Sequence, residues 1–218
     1  MKWALQLVLA ILLASPALAG EQREVKLEGR SYCVPEANYR QTDVPWLPSD
    51  LISEGFQFGF PVGTVPDIVA SRDVRGVPLE LLGVVMPLPR DATEERARSV
   101  AYERWLDPSS FSETHHGSGL TYLYTSSNRR TWYVWRLPVS GQKGRASLIA
   151  SGEFIATCRS RPKSHGDARR SSATCQRSVY LDGLHIDYVT DIANIQSADK
   201  YRSIDKFIGE AIRSWRCN

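Results

Sequence analysis

Several things are missing from this sequence, and each absence narrows what the chain is expected to be. Past residue 19 no stretch is long and apolar enough to be a transmembrane helix, which needs about 20 such residues. No two of the four cysteines stand at the C-x₂₋₄-C spacing of a zinc site. Ser118, two residues after His116, lacks the G-x-S-x-G elbow of a hydrolase, because His116 stands where the first glycine belongs. Charge of one sign is scarce too. Against 27 Lys and Arg there are 24 Asp and Glu, a formal net charge of +3, so no global field argues for nucleic acid or an anionic membrane. There is no internal repeat, low-complexity tract or linker that would divide the chain. No catalytic constellation, metal set or cofactor motif emerges, and none is expected.

What is present begins with an export signal. Met1-Lys2 supplies a short positive start, Trp3–Ala14 an apolar run, Pro16 a break, and Ala17-Leu18-Ala19 the small-residue cleavage pattern. The run is too short to span a membrane. Cleavage is expected after Ala19, leaving residues 20–218 as a single disulfide-bonded domain without a membrane anchor. Losing Lys2 lowers the net charge from +3 to +2. A mature chain of about 200 residues can bury one good core. The expected compartment is the periplasm, or the exterior where the host lacks an outer membrane.

In that compartment an even number of cysteines reads as disulfides. Cys33, Cys158, Cys175 and Cys217 permit three connectivities, and the preferred one is Cys158–Cys175 with Cys33–Cys217. The first pair flanks a polar loop at the end of a hairpin. The second ties the first strand to the last helix.

The pattern of the chain predicts an α+β fold: an antiparallel β meander packed with a C-terminal amphipathic helix and one further short helix. Glu24–Val34 reads as strand material, Phe56–Phe60 as a short strand and Leu81–Met86 as a buried one. Asp91 caps an expected helix over Ala92–Trp105, with Glu94 at the capping-box position. Residues 120–124 and 132–136 form a hairpin around a turn at Ser126–Arg130, and Ala146–Cys158 is the next strand. A loop over Arg159–Ala173 leads to a strand at Thr174–Leu181. Asp182-Gly183 between alternating runs is the strongest hairpin signal in the chain. Ser203 caps the last helix, whose stripe is Ile204, Phe207, Ile208, Ala211, Ile212 and Trp215.

Four groups of residues are candidates for chemistry. His115-His116 would chelate a metal only through an unusual turn, because adjacent strand residues face opposite ways, and only His165 and His185 remain as further imidazoles. Glu94, Glu95, Glu103 and Asp107 fit a solvated helix face better than the paired carboxylates of a glycosidase. Trp105, Tyr122, Tyr124, Trp132, Tyr133 and Trp135 form either a core or a stacking face for a ligand; Trp132 and Val134 face one side, Tyr133 and Trp135 the other. The segment 159–170 carries Arg159, Arg161, Lys163, Arg169 and Arg170 against the single Asp167. Closed at its base by Cys158–Cys175, it is a restrained basic finger, and those five residues are the candidate contacts to a partner. Restraint lowers the entropy lost on binding, and arginine suits carboxylates.

Ser31-Tyr32-Cys33-Val34-Pro35, Cys175-Gln176-Arg177, Leu184-His185-Ile186-Asp187-Tyr188 and Ser214-Trp215-Arg216-Cys217 resemble a pattern found in small uncharacterised exported proteins of Gram-negative bacteria. Some of these are similar to the periplasmic immunity partners of secretion-system effectors. The resemblance runs through cysteines and core aromatics, so it carries over no functional residue. It implies a non-enzymatic periplasmic protein that binds another protein, such as an effector or toxin directed at the envelope. Two alternatives stand beside it: an envelope hydrolase using Glu94 or Glu103 with His116, and a peptidoglycan or small-ligand binding module.

Overall fold

The computed structural model describes residues 20–41, 55–61, 63–66, 68, 80–87, 111–116, 119–125, 128–136, 152–160 and 173–217; for 111–116, 125, 128 and 129 the description is of backbone alone. The expected signal segment, the predicted helix at 92–105 with its cap Asp91, and the first part of the predicted 146–158 strand lie outside these residues.

The fold is α+β, as the patterning predicts. Eleven strands are described: β1 Gln22–Leu27, β2 Arg30–Pro35, β3 Tyr39–Arg40, β4 Phe56–Phe60, β5 Leu81–Met86, β6 Phe111–His116, β7 Leu120–Thr125, β8 Asn128–Arg136, β9 Glu153–Ser160, β10 Ala173–Leu181 and β11 Leu184–Asp191. Two helices follow, α1 Ile192–Ile195 and α2 Ala198–Ser214. Nine strands form one antiparallel sheet in the order β3-β4-β5-β11-β10-β9-β8-β7-β6, and β1-β2 form a separate hairpin.

The two described two-residue turns have a physical reason. Asp182 and Gly183 adopt φ of 52° and 87°, the left-handed pair that a type I′ turn requires. Glu28 and Gly29 do the same at 48° and 73°. The Glu24–Val34 segment is therefore not one strand but two, folded back on themselves with Val25 opposite Tyr32. Glu-Gly is a weaker turn signal than Asp-Gly, and this explains why the fold-back is hard to read from the sequence.

Helix α2 lies across one face of the sheet. Ile204, Ile208, Ile212 and Trp215 share a core cluster with Phe56, Phe58, Phe60, Val85, Ile186 and Tyr188. The Trp215 ring centroid sits 5.6 Å from Phe60 and 6.2 Å from Phe58. Strand spacing here depends on Gly83: a β-carbon there would stand 2.3 Å from Phe58 Cζ. The helix begins at Ala198 with Ser197 in the cap position, earlier than the predicted Ser203, which is an exposed residue inside the helix. The apolar stripe reaches back to the buried Tyr201, three residues before Ile204, and Asp199 occupies the first turn. The short helix beside it is α1, whose first turn is capped by Asp191 Oδ1 accepting from the Ala193 N–H at 2.9 Å.

The β1-β2 hairpin closes the same core with Leu27, Tyr32 and Val34. The chain end is held to it. Cys33 N–H donates to Trp215 O, Cys217 N–H donates to Ser31 O, and Cys33–Cys217 is a disulfide. The second disulfide joins Cys158 to Cys175, which stand directly opposite each other on β9 and β10 with Cα atoms 4.0 Å apart. Both preferred pairings are thus present.

Candidate functional site

The segment between β9 and β10 is anchored at both ends. Ser160 pairs with Ala173, and one rung inward Arg159 pairs with Thr174, followed by the Cys158–Cys175 bridge. Arg159, predicted as the first loop residue, belongs to β9 and is exposed. Arg161, Lys163, Arg169 and Arg170 lie outside the described residues. Cys158 and Cys175 are buried with Ile195 and Tyr201, on the face that carries the helices. Strand alternation therefore places Arg159 and Thr174 on the opposite face.

Two rungs run side by side there, Thr131–Arg159–Thr174 and Tyr133–Thr157–Gln176. Thr131, Thr157, Thr174 and Gln176 are half-buried, and Tyr133 is buried. Farther along the same face Trp135, Asp187, His185 and Val84 are fully buried, so the open part is the end where β9 passes to β10. The Arg159 side chain makes no hydrogen bond or ion pair among the described residues. Four other arginines meet carboxylates: Arg40 with Glu80, Arg136 with Glu153, Arg177 with Asp205 and Arg213 with Asp182.

Two buried polar groupings escape the sequence reading. On the helix side, Arg177 meets Asp205 in a bidentate pair, Nη2 to Oδ2 at 2.7 Å and Nε to Oδ1 at 3.0 Å. The same guanidinium donates to Ile155 O at 2.8 Å, and Tyr188 Oη donates to Asp205 Oδ1 at 2.7 Å. Burial alone disfavours the charged Arg177, but the hydrogen bonds and charge of Asp205 more than reverse this and leave its pKa above the ordinary arginine value. Burial raises the Tyr188 phenol well above its usual range, and the Asp205 charge adds to this. Arg177 also stacks 4.5 Å from the centre of the Tyr201 ring. Sequence gives only one hint of this: a lone arginine inside an alternating strand.

On the other face Asp187 accepts from Ser178 Oγ and, at 3.3 Å, from Gln176 Nε2, and His185 Nε2 lies 3.0 Å from its Oδ1. Serine, histidine and aspartate together suggest a nucleophilic triad, but the order is wrong. A serine nucleophile hands its proton to a histidine, with the carboxylate behind that histidine. Here Ser178 and His185 both converge on the carboxylate. The arrangement cross-links β10 to β11, and among the described residues Ser178 Oγ bonds to the Asp187 carboxylate rather than to an imidazole.

The remaining sequence candidates separate. His115 and His116 lie on β6 opposite Thr121 and Leu120. Among the described residues no group of three or more His, Cys, Asp or Glu could hold a metal. Glu94, Glu95, Glu103, Asp107, His165 and Trp105 lie outside them. The aromatic hairpin is core on both sides: Trp132 and Tyr133 are 8% and 3% exposed, Trp135 0% and Tyr122 3%, with only Tyr124 half-buried. Of the described rings in this set, Tyr124 alone is half-buried and the rest are buried, so they read as core.

No helix among the described residues is long and apolar enough to cross a membrane. No family model matches the chain, and no curated protein matches it. Two solved structures are similar in fold. One is Smlt3025, an immunity protein of the Stenotrophomonas maltophilia type IV secretion system, at 10% identity and TM-score 0.47, with 91% of this chain and 94% of that one covered. The other is FrpD, an iron-regulated outer membrane lipoprotein of Neisseria meningitidis, at 12% identity and TM-score 0.40, with 92% and 95% covered. Nothing is carried over from either.

Proposed function

We propose that this is an exported protein, processed after Ala19, that works in the periplasm by binding another protein and thereby neutralises a toxin directed at the envelope. The observation that carries the reading is the disulfide-fixed base of the basic segment. Cys158–Cys175 and the Ser160–Ala173 pairing hold both ends of a stretch whose sequence carries Arg161, Lys163, Arg169 and Arg170, and the exposed Arg159 stands at its start. Anchored ends reduce the ordering cost of association, and arginine forks suit the carboxylates of an acidic partner. The two disulfides fit an oxidising compartment. The reading takes the chain as a binder, and the Ser178–Asp187–His185 grouping, in which both neighbours bond to the carboxylate, adds no argument for nucleophilic catalysis.

The test uses the protein encoded by the neighbouring gene. Pull-down should recover a complex, and co-expression should protect cells from that protein when it is directed to the periplasm. Reversing Arg161, Lys163, Arg169 and Arg170 to Glu should weaken binding by about tenfold or more, because like charges then face each other. Absence of both complex and protection overturns the proposal. Unchanged affinity of the reversed variant removes the segment from it.

A further inference from the structure

We infer that the open end of the sheet face opposite α2, built from Thr131, Thr157, Arg159, Thr174 and Gln176, is a docking surface for an acidic segment of a partner protein. The inference rests on the protein-binding reading above and names the surface through which that binding would occur.

Charge is the first argument. The arginines at Arg40, Arg136, Arg177 and Arg213 each meet a carboxylate, whereas Arg159 is exposed and has no such partner among the described residues. The carboxylate closest to it in register is Asp191, opposite Thr174 at the end of the same rung. That side chain is engaged elsewhere, accepting the Ala193 N–H at the start of α1. Among the described residues of this face, Arg159 is therefore a cation without a carboxylate partner, and it stands where the basic run of the sequence begins.

The ground around Arg159 is the second argument. Thr131 and Thr157 are half-buried, and their hydroxyls have no hydrogen-bond partner among the described residues. A hydroxyl both donates and accepts, so these threonines can meet either the carboxylates or the main chain of a partner. Their β-branched side chains lose little freedom on contact. Behind Arg159 and Thr174 the Cys158–Cys175 bridge fixes the platform. A polar pair of rungs with one arginine suits a protein segment bearing carboxylates. A polyphosphate chain would need a broader field than a net charge of +3 supplies.

The experiment maps binding on the isotope-labelled mature chain by NMR, with poly-L-glutamate as the probe and dextran sulfate as the comparator at equal charge. Poly-L-glutamate should shift the amides of Thr131, Thr157, Arg159 and Thr174, and leave those of Arg202 and Lys206 on the exposed side of α2 in place. Arg159→Glu should raise the half-saturating concentration by about tenfold, and Lys206→Glu by less than about twofold. Thr157→Val, which keeps the shape and removes the hydroxyl, should also weaken binding. Shifts centred on α2, or none, overturn the docking surface. So does an equal response to dextran sulfate, which would make it a general polyanion site. The pull-down and protection assay decide the protein-neutralising role separately: a complex that forms without engaging these amides overturns the surface and leaves the role standing.

Discussion

Replacing Asp205 with Ala should be the most damaging single change available on helix α2. Its carboxylate accepts from Arg177 through both Nε and Nη2 and from Tyr188 Oη. The Arg177 and Asp205 side chains are only 7% and 14% exposed, so solvent does little to replace the lost partner. Removing Asp205 leaves the guanidinium with one described acceptor, Ile155 O, and leaves the Tyr188 hydroxyl without its acceptor. Breaking one side of a buried pair costs about 3–5 kcal/mol, because an uncompensated charge remains in the interior. The assay is urea unfolding of the disulfide-intact mature protein, followed by tryptophan fluorescence, in a double-mutant cycle with Arg177→Met. The pair Arg177→Met/Asp205→Leu should recover most of the loss, since it removes the charge together with its partner. A loss below about 1 kcal/mol for Asp205→Ala would refute the reasoning. So would a double variant as unstable as the single one, since the damage would then come from packing rather than from a stranded cation.

Alkaline pH should destabilise the fold, and the sign follows from the buried tyrosines. The Tyr188 phenol is held well above its usual value by burial and by the Asp205 charge, and Tyr201 is raised by burial and by Glu153. The unfolded chain therefore loses these protons near pH 10 while the folded chain keeps them, so stability is complete below about pH 10 and falls as pH rises past it. Tyr188→Phe should flatten that decline in a pH series of denaturant midpoints, and an unaltered slope would count against the argument. Replacing Cys33 and Cys217 with Ala opens a loop of sequence separation 184 and should cost up to about 5 kcal/mol by the chain-entropy estimate. Hydrogen exchange should then quicken first in β1, β2 and the Ser214–Cys217 end of the chain; uniform quickening across the sheet would contradict the view that this bridge clasps the hairpin to the terminus.

Much of the fold is legible because local signals and burial agree. Asp182-Gly183 lies between two alternating runs, and the structure turns there. Phe56, Phe58 and Phe60 alternate in five residues, and all three rings reach the helix core. The stripe from Ile204 to Trp215 names the buried side of α2. Legibility fails where two signals compete. Ser203 resembles a cap, yet Tyr201 continues the stripe behind it, and burial of that ring outweighs the cap preference. Trp132 and Val134 face one way and Tyr133 and Trp135 the other; alternation predicts that separation, but not that these four side chains are all buried.

The candidate site is harder to read for a different physical reason. A sequence reports which residues carry charge, but not which charges the fold cancels. Arg136, Arg159 and Arg177 all occur in strand-like runs and look alike in one dimension. The register sends Arg177 toward Asp205 on a helix 28 residues later and sets Arg136 beside Glu153, while Arg159 falls on the far face, where its rung ends in a carboxylate already capping α1. The distinction is made by alternation, since one residue's shift along β9 would turn Arg159 inward against Cys175 and leave the open face neutral. The same logic separates the buried Ser178–Asp187–His185 group from a catalytic one. The residue types favour chemistry, and only the order in which they bond shows that the carboxylate serves both neighbours. What the signal segment and four cysteines suggest about compartment thus becomes, in three dimensions, a claim about one particular face: the bridge that an oxidising environment permits is also what fixes Arg159 outward.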